Sequence, residues 1–376
     1  MYDNFQVRRG QASRVIEYDD DDDEPLRIPL PMVGFGVPGG PGRIRNTRYL
    51  PKAARGPPYF YFENVARTPK RVWQIIQRIL YHVEPEFVDS MHFCAAARKR
   101  GYVHNLPIHN RVRPPPLPPK TIKEALPRTK KWWPKWDTRT QLNCVSTAVG
   151  YATPKETVRQ MLRNYNGVDP PPDVQRDVLQ KCKKLNLVWV GKNNNVDFLK
   201  PQEKETLLGF PVGHTSRGGA SNTQRHKSLG NSFQVDTVAY HLSVLKDLYP
   251  RGINVLSLFS GIGGAEVALH RLGIPLMNVL SVEKSKANQR ILSSWWQKTN
   301  QKGKLVEYDD VQDVDERQLE EFVGEFGGFD LVIGGSPCNN LSGNNRKSRT
   351  GLMGPESGLF YEFFRILELV RHRKKP

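Results

Sequence analysis

A thiol held just after a proline, in a turn that ends an apolar strand, is placed to act as a nucleophile. The segment Gly334-Gly-Ser-Pro-Cys-Asn339 presents Cys338 in this way. Local backbone N–H groups lower a thiol pKa and make the thiolate available. A lone cysteine is more often a small buried hydrophobe. Here the carboxyl edge of a strand, where open α/β folds bind ligands, favours the nucleophile. A second cluster, Phe259-Ser260-Gly261-Ile262-Gly263-Gly264, lies between the strand-like INVLSLF and an amphipathic stretch. Its small residues let a ligand approach the backbone, and the following helix N-terminus can meet a charged group. Glu266 stands where the full GxGxxG pattern has its third glycine, so the motif is nucleotide-type without being the complete dinucleotide fingerprint. Glu283 ends the next strand and suits two ribose hydroxyls. Asp310, with Val311 beside it, ends the third and suits an adenine amino group. A further acid, Glu63, closes the aromatic run PYFYFENV, and Arg98-Lys99-Arg100 follow the next strand. Taken separately these are a surface acid and a basic turn. On one sheet edge they would join Cys338 as nucleophile, acid and cation around a single pocket.

The elements that must position these groups follow from periodicity. After Gly252 strands alternate with helices: INVLSLF, Gly264 to Leu272, NVLSVE, Lys286 to Lys298, KLVEYDD, Glu316 to Phe326, DLVIGG, Leu359 to Arg371. That rhythm predicts a parallel sheet covered by helices on both faces. Four strands are too few for such a sheet, and PYFYFENV is the obvious supplier of another. A helix is expected over Val72, Ile75, Ile76, Ile79 and Leu80, and a strand over Glu86 to Cys94. Between Asn110 and about Gly230 the chain is punctuated by proline and carries short helices such as Pro172 to Leu185, the pattern of a smaller, loop-rich lobe. Within it, KKWWPKW (Lys130 to Trp136) interleaves cations and aromatics, which can straddle a phosphate backbone or pack one lobe on another.

Composition sets the partner class. The 376 residues suffice for a sizeable core, and 56 basic against 38 acidic side chains leave a formal charge of +18. Most of that excess must be solvated, so polyanions are the leading partners. Proline is abundant, with 29 residues against a usual ~5%, as extended connections require. The first 50 residues, with the acidic run Asp19 to Asp23 and a Pro/Gly-rich stretch, read as a low-complexity, disordered tail or a wrapping strap. The four cysteines form no CxxC pair, so neither a metal site nor a disulfide framework is expected. There is no apolar run of membrane-spanning length and no signal-peptide core at the N-terminus, so a soluble intracellular chain is expected.

The segments FENV, AAARKRGYVHNLP, LSLFSGIGG, SVE and FDLVIGGSPCNNLSG together resemble the motifs of cytosine-C5 DNA methyltransferases. Their order resembles the plant domains rearranged methyltransferase family, in which the ENV motif precedes the cofactor motif and the chain is circularly permuted. The resemblance implies an α/β, Rossmann-like class I S-adenosylmethionine-dependent fold. Residues 51–110 and 230–376 would form the catalytic core and 111–229 a target-recognition lobe. It implies that Cys338 attacks C6 of a flipped cytosine in double-stranded DNA while Glu63 holds the N3 and amino edge. Arg98 and Arg100 would hold the base carbonyl. LGFPVGHTSRGG and LGNSFQVDTVAYHL look like the family's last two motifs, and Asn231 and Ser232 in the second would reach the methionine part of S-adenosylmethionine. The loop after Cys338, with Arg346, Lys347 and Arg349, would close over the base. A nuclear location, de novo (RNA-directed) methylation, and a homodimer or paralogue partner are further implications. Two other readings stand beside this one: a non-catalytic paralogue serving as scaffold, and an RNA cytosine-5 methyltransferase.

Overall fold

The structure, a computed structural model, describes residues 28–35, 48–68, 70–150, 152–165, 167–337 and 351–372. Cys338, the basic residues Arg346, Lys347 and Arg349, and the acidic run Asp19 to Asp23 lie outside the described residues.

Nine strands are assigned among the described residues: β1 (Tyr59–Val65), β2 (Glu86–Asp89), β3 (Lys99–His104), β4 (Val188–Gly191), β5 (Asn195–Asp197), β6 (Ile253–Leu258), β7 (Leu276–Val282), β8 (Lys304–Tyr308) and β9 (Leu331–Gly334). Seven of them form one sheet in the order β2-β3-β1-β9-β6-β7-β8. β1, β9, β6, β7 and β8 run parallel, and β3 lies antiparallel between β1 and β2. From β6 the chain moves outward through β7 and β8 and then returns to β9 on the other side, which makes the gap between β6 and β9 the topological switch point. The positions beyond β9 belong to β1, β3 and β2, which come first in the chain. This is the placement that the permuted motif order of the resemblance implies.

Alternation along the strands gives the sheet two apolar faces. Phe60, Phe62, Leu256, Leu258, Leu280 and Val332 face a core closed by the helices Lys70–Ile79, Glu316–Phe326 and Phe360–His372. Tyr61, Val255, Val279, Leu331 and Ile333 face the other core, closed by Val235–Leu242, Gly264–Arg271 and Lys286–Lys298. That second core runs on without a break into the Pro-rich lobe, through Val158 and Cys182 of the helices Ala152–Met161 and Pro172–Leu185 and Trp189 of the β4–β5 hairpin.

One expectation is corrected and two open readings are narrowed. Arg98 to Arg100 do not form a basic turn: β2 stops at Asp89, whose carboxylate accepts the Met91 and Arg98 N–H groups, and the chain returns as β3. Gly101 permits this pairing, because a Cβ there would lie 2.4 Å from the Trp73 ring. Of the two readings of the first 50 residues, a tail or a wrapping strap, residues 28–35 follow the second. Val33 bridges Val88, Asp89 N–H donates to Met32 O, and Phe35 N–H donates to Glu86 Oε1, so 28–35 covers the β2 edge. An edge strand needs such a cover, and burying Met32 and Phe35 helps to hold it. Finally, KKWWPKW is chiefly a packing element: Trp133 is buried with its indole N–H on Asp137 O, and Trp136 meets Trp189 edge-on.

Candidate active site and cofactor cradle

Register fixes which side chains share the carboxyl rim of the sheet. Tyr308, Val282, Leu258, Gly334 and Phe62 are successive Cα partners across β8, β7, β6, β9 and β1. One residue further along each strand come Asp309, Glu283, Phe259, Gly335 and Glu63, which therefore lie on one rim.

After β6 the backbone turns sharply, with positive φ at Phe259 (55°), Gly261 (57°) and Gly263 (81°). Glycine is the residue that adopts this conformation without a Cβ penalty. Gly263 then caps the helix Gly264–Arg271. The turn is anchored from both sides. Glu283 Oε2 accepts the Gly261 N–H at 2.8 Å and its Oε1 accepts the Ser285 N–H at 2.8 Å. On the other side the Ile262 carbonyl accepts from His214 Nε2 at 2.7 Å. Ser260 Oγ meets Ser281 Oγ at 2.6 Å, and Ile262 is buried. The face above Gly261 stays open, since a Cβ built there meets only Phe259 O, at 3.9 Å. A side chain at 261 would fill that space.

Asp310 stands at the end of the third strand, where its Oδ1 accepts the Gln312 N–H at 3.1 Å and its Oδ2 pairs with Lys284 Nζ at 2.8 Å. Those two hydrogen bonds lower the carboxyl below its ordinary range. Val311 departs from its expected place: its side chain is buried in the core that holds Phe60, Phe62 and Leu258, and its carbonyl accepts from Arg365. The cradle fits an adenosyl group. It offers a left-handed glycine turn with an open face, a carboxylate at 283 that has acceptor sites left over, and a second carboxylate at 310.

On the other side of the switch point, Glu63 Oε1 lies 2.5 Å from Arg100 Nε, with both side chains largely buried. Glu63 also abuts the start of the nucleophile segment: a Cβ on Gly335 would come within 3.0 Å of Glu63 Oε2 and 3.3 Å of the Phe233 ring. Asn64 Nδ2 approaches Ser336 Oγ at 3.5 Å. From Gly335 the chain continues through Ser336 and Pro337 to Cys338.

Arg98 does not join Arg100. Its guanidinium turns to the segment before Phe233, donating to Gly230 O at 3.3 Å and Ser232 O at 2.5 Å. A residue two positions from Arg100 shares its face of the chain but meets a different partner. Ser232 is buried, with its hydroxyl donating to Leu229 O at 2.9 Å, whereas Asn231 is exposed. Phe233, which follows them, packs near Tyr61, Gly264 and Gly335 and so stands between the cofactor turn and the nucleophile segment. Phe233, His214 and Glu205 are site residues that motif reading did not single out. Their one signal was position inside LGFPVGHTSRGG and LGNSFQV, or just ahead of them. Among the described residues no helix is long and apolar enough to cross a membrane, and no group of three or more His, Cys, Asp or Glu side chains is placed to hold a metal ion.

A sheet with this switch point, a glycine turn on one side and an acid–cation pair on the other, is a Rossmann-like α/β fold. The C-5 cytosine-specific DNA methylase family model matches residues 253–372, from β6 through the last helix. The strands that complete the same sheet, β1 to β3, precede that match. The chain is 59% identical over 355 residues to DNA (cytosine-5)-methyltransferase DRM2 of Arabidopsis thaliana, covering 94% of this chain and 56% of that protein. To the protein of the same name from Oryza sativa subsp. japonica it is 58% identical over 363 residues, covering 96% and 60%. A probable inactive DNA (cytosine-5)-methyltransferase DRM3 of the same rice is 44% identical over 333 residues, covering 88% and 48%. The chain thus belongs to the plant domains rearranged methyltransferase family, the circularly permuted branch of the cytosine-C5 methyltransferases. It spans about half to three-fifths of the length of these relatives.

Proposed function

We propose that this chain is a DNA (cytosine-5)-methyltransferase that acts on a cytosine flipped out of duplex DNA. The observation that carries the reading is the Glu63–Arg100 pair set against Gly335, three residues ahead of Cys338 on the same rim as the glycine turn. S-adenosylmethionine would be held by the 259–263 turn, Glu283, Asp310 and the Asn231–Ser232 segment and would supply an electrophilic methyl group, with the thioether S-adenosylhomocysteine as leaving group. The remaining chemistry falls to the protein. Cytosine C5 is a weak nucleophile, so the Cys338 thiolate adds to C6, and the electron pair of the C5–C6 bond becomes available at C5 to take the methyl. Glu63, oriented by Arg100, hydrogen-bonds the N3 and amino edge and supports protonation at N3, so that negative charge does not accumulate on the ring. Positioned proton transfer of this kind is typically worth ~10²–10⁴ in rate. Loss of the C5 proton to a base restores the C5–C6 double bond and expels Cys338. Extracting the base costs a few kcal/mol of stacking, offset by pocket contacts and by phosphate binding to the basic surface. Nuclear location, de novo RNA-directed methylation and pairing with a second copy or a paralogue accompany this reading by family membership.

The test is covalent trapping on a duplex containing 5-fluorocytosine with S-adenosylmethionine. An adduct that maps to Cys338, and that is absent in Cys338→Ser, supports the reading. Bound cofactor without transfer to DNA would instead favour a scaffold, and transfer confined to RNA would favour an RNA methyltransferase.

A further inference from the structure

Resting on the methyltransferase reading, we propose that His214 is a positioning residue for the cofactor turn, reaching across from the Pro-rich lobe to lock the Ile262 carbonyl. Backbone hydrogen bonds from Gly263 N–H to Ser260 O and from Ser260 N–H to Val282 O shape the turn, and two further peptide groups in it are held by side chains from outside. One is anchored through the Gly261 N–H on Glu283, which belongs to the sheet. The other is anchored through the Ile262 carbonyl, and its donor is His214. The cradle is therefore half-built by a segment far from it in sequence.

His214 is itself held on both sides. The carboxylate of Glu205, fully buried, accepts the N–H of Gly213 at 2.6 Å and of Thr215 at 2.8 Å, the two residues that flank the histidine. Arg225 closes the bracket, donating to Thr215 Oγ1 at 2.9 Å and to Glu205 Oε1 at 3.3 Å. The imidazole is stacked on Phe210 with ring centroids 4.8 Å apart and lies edge-on to Trp295 at 6.4 Å. A carbonyl can only accept, so Nε2 carries the proton. Nδ1 is buried with no hydrogen-bond partner among the described residues, which makes the neutral ring the fitting form. Burial also keeps His214 below the ordinary imidazole range. Arg225 sits on the helix Asn222–Asn231, whose end leads into the Ser232 carbonyl held by Arg98. The same bracket thus touches the cofactor turn through His214 and the Asn231–Ser232 segment through its helix.

The experiment compares the wild-type chain with His214→Phe, which keeps a ring between Phe210 and Trp295 but has no donor, and His214→Gln, which restores an N–H. Binding of S-adenosylmethionine and S-adenosylhomocysteine is measured by calorimetry, and binding of a cytosine-containing duplex by fluorescence anisotropy. One hydrogen bond is worth roughly 0.5–1.5 kcal/mol net, so His214→Phe is expected to weaken both adenosyl compounds by about three- to tenfold. DNA affinity should stay within about twofold, and His214→Gln should recover most of the loss. Wild-type cofactor affinity in His214→Phe overturns the proposal, as does equal loss in both variants, which would make the ring a packing element only. A wild-type chain that binds neither adenosyl compound overturns the methyltransferase reading and this inference with it. Should His214→Phe not fold, amide hydrogen exchange on the wild type decides. S-adenosylhomocysteine is expected to slow exchange at Gly213 and Thr215 together with Gly261, and slowing at Gly261 alone overturns the proposal.

Discussion

Glu63 and Arg100 are diagonal neighbours across two antiparallel strands. Tyr102 is the Cα partner of Glu63 and Arg100 the partner of Val65, yet the guanidinium slants back to bring Nε within 2.5 Å of the carboxylate. Diagonal neighbours in a sheet are within reach of long side chains. With only 12% and 11% of the two side chains exposed, removing either partner would leave the other as a largely buried, uncompensated charge.

The pair predicts a catalytic loss without a binding loss. Glu63→Gln keeps the shape but removes the carboxylate that supports protonation at N3. Single-turnover methyl transfer should fall by ~10²–10⁴, while calorimetric cofactor affinity stays within about twofold, because Glu63 lies across the switch point from the 259–263 turn. Equal loss of both would mean that Glu63 is structural.

Arg98 and Arg100 separate under the same measurements. Arg98 satisfies the carbonyls of Gly230 and Ser232, so Arg98→Met leaves acceptors stranded inside the protein. Charged hydrogen bonds contribute about 1.5–3 kcal/mol. The variant is expected to lose roughly that much unfolding free energy in urea titration, with an unchanged slope, and to lose cofactor affinity as the 230–232 segment loosens. Arg100→Met should instead depress the transfer step. If the two variants behave alike, the division of labour between these arginines is wrong.

Why the sequence separated some of this and not the rest is a matter of where the signal resides. The helices Lys286–Lys298, Glu316–Phe326 and Pro172–Leu185 were legible to the residue because each carries its own apolar stripe and stop signals. β1 was legible from its aromatic run, and the switch-point glycines from their spacing. β3 was not, since Lys99-Arg100-Gly101 has little strand propensity and becomes a strand only by pairing with β1 and β2 beneath the Trp73 ring. Likewise nothing local distinguishes Arg98 from Arg100. What differs is a carbonyl more than a hundred positions away for one and Glu63 for the other. Residues 28–35 have the composition of a loose tail but are pinned by the Glu86 carboxylate and the β2 edge.

Lys284 tests the adenine side of the cradle. It directly follows Glu283, and its ammonium is raised by the hydrogen bond and charge of Asp310, whose Oδ2 it occupies. The side chain is 82% exposed, so the pair adds little to stability. Lys284→Ala should leave the unfolding midpoint unchanged and free Asp310 Oδ2 for an amino group. S-adenosylhomocysteine is then expected to bind tighter by a few-fold, because a solvent-screened pair holds Asp310 Oδ2 only weakly. Weaker binding would show that Lys284, not Asp310, makes the contact.

Acid should weaken the fold through the buried cluster behind Glu63. His104 Nε2 lies 2.7 Å from Glu86 Oε2, Arg111 forks onto both Glu86 oxygens, and Tyr61 Oη lies 2.7 Å from His241 Nδ1. Burial holds both imidazoles below their ordinary range, and the arginines Arg48 and Arg111 push the same way. Burial alone would raise Glu86, but Arg111 and His241 outweigh it and keep the carboxyl well below the usual carboxylate range. The unfolded chain therefore takes up imidazole protons below pH ~6.5 that the native chain refuses, and stability falls as pH drops. The slope is up to about 1.4 kcal/mol per pH unit for each histidine. A second loss begins below pH ~4.5, where the unfolded Glu86 protonates and the native one does not. Urea unfolding at pH 8, 6 and 5 should show midpoints that decline on the acid side, with the decline reduced by about one proton in His241→Gln. Midpoints that are level from pH 8 to 5 would mean that these rings take up protons in the native state as readily as in the unfolded one.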